Sequence, residues 1–211
     1  MPPSPDPRPD SEETARLLER VSRGDPAAVN DLLARHRDTL RGFVAGRLDP
    51  AVRARVDPSD VVQEALAEAA RRLPDFLARR PMPFHLWARK AAYERALKAR
   101  RAHRAECRDV GREAARPDQS SLALIHSLAG VGPSPSQAAE GAEAASRVAR
   151  ALDDLAEADR EVLLLRQVDG LPYEEIGPLL DVDPVAARQR YGRALIRLER
   201  ALAAHGVARS Q

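Results

Sequence analysis

Cysteine is almost missing from this 211-residue chain. Cys107 stands alone, which excludes an intrachain disulfide framework and any zinc site built on several thiolates. Aromatic residues make up only 3% of the chain, so its 44% hydrophobic content rests on Ala, Leu and Val, a composition that favours helices over a β-sandwich. Lysine occurs only at Lys90 and Lys98, so nearly all of the 34 basic side chains are Arg, whose planar guanidinium suits phosphates and base edges. No run approaches the roughly 20 apolar residues of a membrane span. The opening MPPSPDPRPDSEE also lacks the apolar core of a secretion signal. The expectation is a cytoplasmic protein with no membrane span. Gly-rich phosphate loops, nucleophile elbows and His-x-Glu or Cys-x-x-Cys pairs are all absent, so an enzyme or a cofactor-dependent protein has no foothold. His103 and Cys107 stand four residues apart and could share a metal, but with no further ligands nearby the reading is no metal and two unrelated surface residues.

What is present reads as an all-α chain of two small helical domains joined by a flexible linker. A Pro-anchored helix start recurs at Asp25-Pro26, Asp49-Pro50, Asp57-Pro58, Ser134-Pro135 and Asp183-Pro184, where the first residue can cap and Pro fits the first helical position. Between these starts the apolar residues recur at intervals of three and four: Val29, Leu32, Leu33, His36, Leu40, Phe43 and Val44, then Val61, Val62, Ala65, Leu66, Ala69 and Leu73. The Pro-rich residues 1–11 hold too little apolar surface to offset ordering entropy and read as a disordered tail. Residues 12–114 read as an N-terminal domain, 115–141 as a Gly/Pro/Ser-rich linker, 142–204 as a second domain and 205–211 as a short tail. The linker contains Leu122, Leu124, Ile125 and Leu128, which suit either a covering turn of helix or a docking segment.

Charge is segregated along the chain behind a formal net charge of +2. Residues 57–76 are acidic and 84–116 strongly basic; residues 153–183 carry ten acids against Arg160 and Arg166, and 186–200 carry five Arg against Glu199. Each half therefore pairs an acidic segment with a basic one, a layout that raises the odds of nucleic-acid binding above those of an ordinary solvated face.

In the second half, residues 172–180 form a short helix, Asp181-Val182-Asp183 a tight turn, and 184 to about 204 a longer helix, which is helix-turn-helix spacing. Ile176, Leu180, Val182, Ala187, Tyr191, Ala194, Leu195 and Leu198 fall where the helices bury against each other. Arg188, Gln189, Arg190 and Arg193 are left for solvent or DNA, where Arg suits guanine and Gln adenine. The competing reading is an αα-hairpin with an Arg-rich outer face. This segment closely resembles the minus-thirty-five-reading domain of extracytoplasmic-function (ECF) sigma factors, the small specificity subunits of bacterial RNA polymerase. Leu152, Leu155, Arg160, Leu163, Leu165, Gly170, Glu175-Ile176, Arg190, Arg193-Ala194 and Leu198 carry the likeness. The sequence departs from the family at Asp181, where a turn Gly is usual, and at 183–187, which replace Ser-x-Gly-Thr-Val. Asp tolerates the left-handed conformation and Asp183 can cap, so the fold is kept.

In the first half, DPSDVVQEAL places Asp60, Gln63 and Glu64 on adjacent turns of an amphipathic helix. With Asp57 they resemble the sigma-factor motif Asp-x-x-Asp-Leu-Val-Gln-Glu that grips the β′ clamp of core RNA polymerase. Downstream, Phe84, Trp87 and Tyr93 sit among dense bases, a pattern able to stack on single-stranded DNA, although core filling explains Phe84 better and Trp87 and Tyr93 equally well. The resemblance implies capture of the unpaired minus-ten strand here, by Trp87, Lys90, Tyr93, Lys98, Arg100, Arg101 and Arg104. Glu94 and Lys98 stand where the family commonly has Asn and Asp. The implied partners are core RNA polymerase, through its β′ clamp and β flap, promoter DNA and an anti-sigma factor, with the free chain a monomer. Two other classes compete: a self-sufficient helix-turn-helix regulator that binds duplex operator DNA, and an adaptor-type helical bundle.

Overall fold

The computed structural model describes residues 10–48, 50–110, 148, 150–152 and 154–206. The whole of the proposed linker, the first nine residues and the last five lie outside them. Regular structure among the described residues is entirely helical: α1 (Glu12–Ser22), α2 (Pro26–Ala45), α3 (Pro50–Arg53), α4 (Pro58–Arg79), α5 (Phe84–Val110), α6 (Glu157–Gln167), α7 (Tyr173–Leu179) and α8 (Pro184–Ala204). None of these helices is long and apolar enough to cross a membrane. The chain divides into two compact units, one drawn from Met1–Leu48 and Val52–Val110, the other dominated by Gly111–Gln211.

The Asp-Pro pairs at Asp25, Asp57 and Asp183 start helices because each supplies an acceptor and a preset φ, whereas Asp49 and the Ser134-Pro135 start lie outside the described residues. Asp25 accepts from the Ala27 N–H at 3.0 Å and the Ala28 N–H at 3.4 Å. Asp57 accepts from Ser59 N–H at 2.7 Å and Asp183 from Ala186 N–H at 2.8 Å, each followed by a Pro that has no N–H to orphan. In the first unit α4 packs on α5 and α2, and α1 lies against α2. The inward stripe of α4 is Val61, Val62, Ala65, Leu66, Ala69, Leu73 and Phe76, the three-and-four spacing expected from the sequence. Arg80 closes α4 in the left-handed conformation (φ 38°), donating its N–H to the Phe76 carbonyl at 2.7 Å.

Residues 10 and 11, placed in the tail by composition, are built into the unit. Ser11 accepts from the Thr14 N–H at 3.3 Å and caps α1. The Asp10 carboxylate spans the start of α5, accepting from Phe84 N–H at 2.9 Å and His85 N–H at 3.2 Å. Burial opposes the charge on Asp10, but hydrogen bonds from the His85 side chain and from these two N–H groups outweigh it and hold the carboxyl below its usual pKa. Asp10→Ala removes this cap and is expected to destabilise the first unit by about 1 kcal/mol at pH 7, read from the thermal midpoint, with Asp10→Asn losing less. The contribution is present above pH 4 and vanishes as acid protonates the folded carboxyl, so wild type and Asp10→Ala should converge there.

Next to this cap, the His36 ring lies 5.2 Å from the Phe84 ring, and its Nε2 is buried without a hydrogen-bond partner among the described residues. Desolvation lowers its pKa, and the neighbouring charges of His85, Arg35 and Arg89 lower it further, against Asp10, which raises it. The folded chain binds a proton at His36 less readily than the unfolded chain, which takes one up near pH 6.5, so acid favours unfolding below that pH. His36→Phe is expected to flatten the fall in thermal midpoint as the pH drops below 6.5; an unchanged slope would assign the effect to another group.

In the second unit α8 packs on both α6 and α7. Ala187, Ala194 and Leu198 of α8 are buried together with Val162, Leu163 and Leu165 of α6 and Ile176 of α7. Polar ties accompany this core. Arg197 of α8 pairs with the buried Asp159 of α6. The Gln167 amide donates to the Tyr191 hydroxyl, Tyr191 meets Tyr173 edge-on at 6.0 Å, and Arg166 lies over Tyr173 at 5.0 Å.

Candidate nucleic-acid interface

The turn between α7 and α8 decides how the last helix is presented. Gly177 is buried beneath it, with Val182 N–H donating to the Gly177 carbonyl at 3.0 Å. Asp181 adopts φ 55°, the left-handed conformation for which Asp is one of the few tolerant side chains. Asp183 then caps α8. Arg188, Gln189 and Arg193 emerge exposed, whereas Arg190 is half-buried. At 100° per residue Arg190 falls beside the inward Ala187 and Ala194, so it flanks the outward face instead of sharing it. Val185, an uncharged residue outside the expected base-reading set, is 65% exposed at the start of the same helix.

In the first unit Asp60, Gln63 and Glu64 are exposed along one side of α4, as the amphipathic spacing predicts. Two of the four acidic-motif residues are engaged within the chain: Asp57 caps α4, and Glu64 pairs with Arg95 of α5. The Asp57 carboxyl is held below its usual pKa by hydrogen bonds from the Ser59 N–H and side chain.

Helix α5 does not present its aromatics as a single platform. Trp87 is half-buried, its ring 4.7 Å from Phe76 and 5.7 Å from Phe84, at the edge of a cavity of about 170 Å³ that Glu68, Met82, Lys90 and Glu94 also line. Tyr93 is 4% exposed and packs toward Phe43, ring centroids 6.5 Å apart, with the Arg47 guanidinium 5.8 Å from its ring. Six residues apart, Trp87 and Tyr93 diverge by about 120° around the helix, so Tyr93 belongs to the core and is withdrawn from the strand-binding set. Arg100, 2% exposed, is withdrawn too: it continues the four-residue row of Phe84, Ala88, Ala92 and Ala96 that faces inward. Lys98 and Arg101 are exposed and Lys90 half-buried, while the side chains of Arg104 and Cys107 lie outside the described residues.

This geometry has counterparts in known proteins. The family model described as Sigma-70, region 4 matches residues 145–198. The RNA polymerase sigma-H factor of Pseudomonas aeruginosa is 30% identical over 193 residues, which cover 90% of this chain and 94% of that one. The ECF RNA polymerase sigma-E factor of Escherichia coli (strain K12) is 32% identical over 180 residues, 84% of this chain and 88% of its own. Among solved structures, CnrH in complex with the cytosolic domain of CnrY has a similar fold, with TM-score 0.54 and 24% identity over 91% of this chain and 98% of that one. The chain belongs to the ECF RNA polymerase sigma factors. It is an alternative sigma factor, a specificity subunit that acts with RNA polymerase at promoter DNA in transcription initiation. The likeness runs through both halves, so a self-sufficient operator-binding regulator is not favoured.

Proposed function

We propose that the two units divide the work of promoter recognition, the first (12–114) docking on core polymerase and holding the minus-ten strand, the second (142–204) reading the minus-thirty-five element, with 115–141 as the connection between them. The observation that carries this reading is the outward face of α8, where Arg188, Gln189 and Arg193 are exposed on a helix fixed by a capped, tightly packed turn. Arg190 contributes from the flank, suited to a phosphate more than to a base edge. Asp57, Asp60, Gln63 and Glu64 face the β′ clamp, with Asp60 and Gln63 in the central place, and the second unit meets the β flap. Trp87, Lys90, Lys98, Arg101 and Arg104 act at the minus-ten element. An anti-sigma factor is the regulatory partner proposed, in line with the solved complex of CnrH with the cytosolic domain of CnrY. The chain works in the cytoplasm as a monomer when free, and catalysis stays with the polymerase.

Energetics support dependence on the core enzyme. Stacking averages roughly 1.4 kcal/mol per base-pair step, so melting about a dozen steps costs on the order of 15 kcal/mol. With Tyr93 in the core, Trp87 is left as the aromatic platform of α5, and one stacked base returns only about 1 to 3 kcal/mol. The test is transcription from a randomised promoter library by purified core polymerase with and without the chain. Templates selected only with both components, sharing two spaced motifs, are expected; duplex binding by the chain alone with unchanged transcripts would overturn the reading. Asp60→Arg places a cation on the proposed clamp-facing stripe and is expected to weaken core binding at least tenfold, measured by competition with the wild-type chain.

A further inference from the structure

Beyond its cationic residues, the outward side of α8 carries an uncharged row with hydrocarbon at both ends. Val185, Gln189, Gly192 and Ile196 follow one another at intervals of four, three and four, which places them on a single line opposite the buried Ala187, Ala194 and Leu198. Val185 is 65% exposed and Ile196 51%, whereas the large apolar side chains among the described residues are otherwise mostly buried. Gly192 lies between them, and a Cβ built there meets nothing within 4 Å. Exposed Arg188 borders the row on one side and exposed Arg193 on the other.

A helix that only skirted the DNA backbone would need cations along its outermost line. Here the outermost line is uncharged and narrow and the cations stand at its two shoulders, a cross-section complementary to a groove whose walls are phosphates and whose floor is base edges. Gly192 thins the helix at the centre of that line, so its backbone can come closer to the floor than any other residue type would allow. The residues at the N-terminal end of a recognition helix are those that meet base edges. Val185 occupies the first turn, whereas Ile196, eleven residues further on and about 16 Å along the axis, lies beyond that reach. An exposed branched hydrocarbon can read one feature of the major groove, the thymine 5-methyl group.

Resting on the reading of α8 as the minus-thirty-five helix, we propose that Val185 is a specificity-determining residue that contacts the 5-methyl group of a thymine in that element, with Gly192 allowing the close seat this contact needs. Gln189, one turn along the same row, then reads the neighbouring position.

Deoxyuridine in place of thymine keeps every hydrogen-bonding group and removes only the methyl, so it isolates the contact. Holoenzyme assembled from core polymerase and the full chain is used to select a minus-thirty-five motif. Each thymine of that motif is then replaced singly by deoxyuridine, and promoter affinity is measured with wild type and with Val185→Ala. Alanine at this exposed helical position is a better helix former than valine, so the variant keeps its fold. One replacement is expected to weaken wild-type binding roughly fourfold, the worth of one buried methyl group. Val185→Ala should lose about the same on the unmodified promoter and lose nothing more on the deoxyuridine one. Gly192→Leu should weaken selection across the whole motif, because it lifts the helix from the groove.

If the motif is selected but no deoxyuridine matters, or the two losses multiply, the thymine contact is wrong while α8 remains the reader. If no minus-thirty-five motif is selected and Arg193→Ala changes nothing, the underlying reading of α8 has failed and the contact falls with it.

Discussion

Gly177→Val is expected to abolish minus-thirty-five selectivity and to lower the melting temperature of the second unit by ten degrees or so. A Cβ at this position would stand 2.8 Å from the Val182 carbonyl oxygen, 3.2 Å from Pro184 N and 3.3 Å from Asp183 C. All three are backbone atoms of the turn, so no side chain can swing aside to make room. Valine adds two more carbons in a helix that already restricts its χ1. Overpacking of this kind costs typically about 1 to 3 kcal/mol, and for a unit of this size each kcal/mol shifts the midpoint by roughly 4 to 8 °C. The functional effect follows from where the displacement goes. Val182 and Asp183 carry the hydrogen bond back to Gly177 and the cap of α8, so pushing them outward re-aims the helix that presents Val185, Arg188, Gln189 and Arg193. Calorimetry on the full chain checks the stability, and transcription from promoters with intact or scrambled minus-thirty-five elements checks the selectivity. A variant that melts like wild type and still distinguishes the two promoters would show that the turn can open without moving α8. Gly177→Ala should show the same effects in smaller measure.

The sequence made some of these features visible and hid others for identifiable reasons. Helix starts at Asp25, Asp57 and Asp183 were legible because capping is local: acceptor, proline and amide lie within four residues. The inward face of α8 and the left-handed Asp181 were legible because periodicity and turn chemistry are local as well. The Asp10 cap was not, since its amide partners lie 74 and 75 residues away and nothing in a Pro-rich opening announces a distant helix end. Gly177 escaped for a related reason: a close approach between a helix and the turn that follows it is a property of the folded path. Tyr93 and Arg100 show a different failure. Their residue types drew them into a DNA-binding set, although the four-residue row from Phe84 through Ala96 already placed Arg100 inward. Helical phase was the better guide there. Val185 was hidden for the converse reason, because an isolated valine looks like core, and the thymine methyl group is the one base feature that hydrocarbon recognises.

Trp87→Ala carries the other large effect, and it should depend on the state of the template. On duplex promoters initiation is expected to fall by tenfold or more, since a stack of about 1 to 3 kcal/mol on an unpaired base corresponds to roughly 5- to 150-fold. On templates already mismatched over the minus-ten region much of that loss should disappear, because the melting cost that the stack helps to offset has been removed. The structure adds a confounding contribution: Trp87 also packs on Phe76 and Phe84, at 4.7 and 5.7 Å between ring centroids, so truncation loosens the α4–α5 contact. Trp87→Phe separates the two roles, since it keeps an aromatic face for both packing and stacking and should retain most activity on both templates. A loss on pre-opened DNA as large as that on duplex would assign Trp87 to the core of the first unit alone. The strand-capturing role would then rest on the cations of α5, Lys90, Lys98 and Arg101, which supply attraction to phosphate but no platform for a base. Opening would in that case have to come from the polymerase, and salt would suppress initiation on both templates to the same degree.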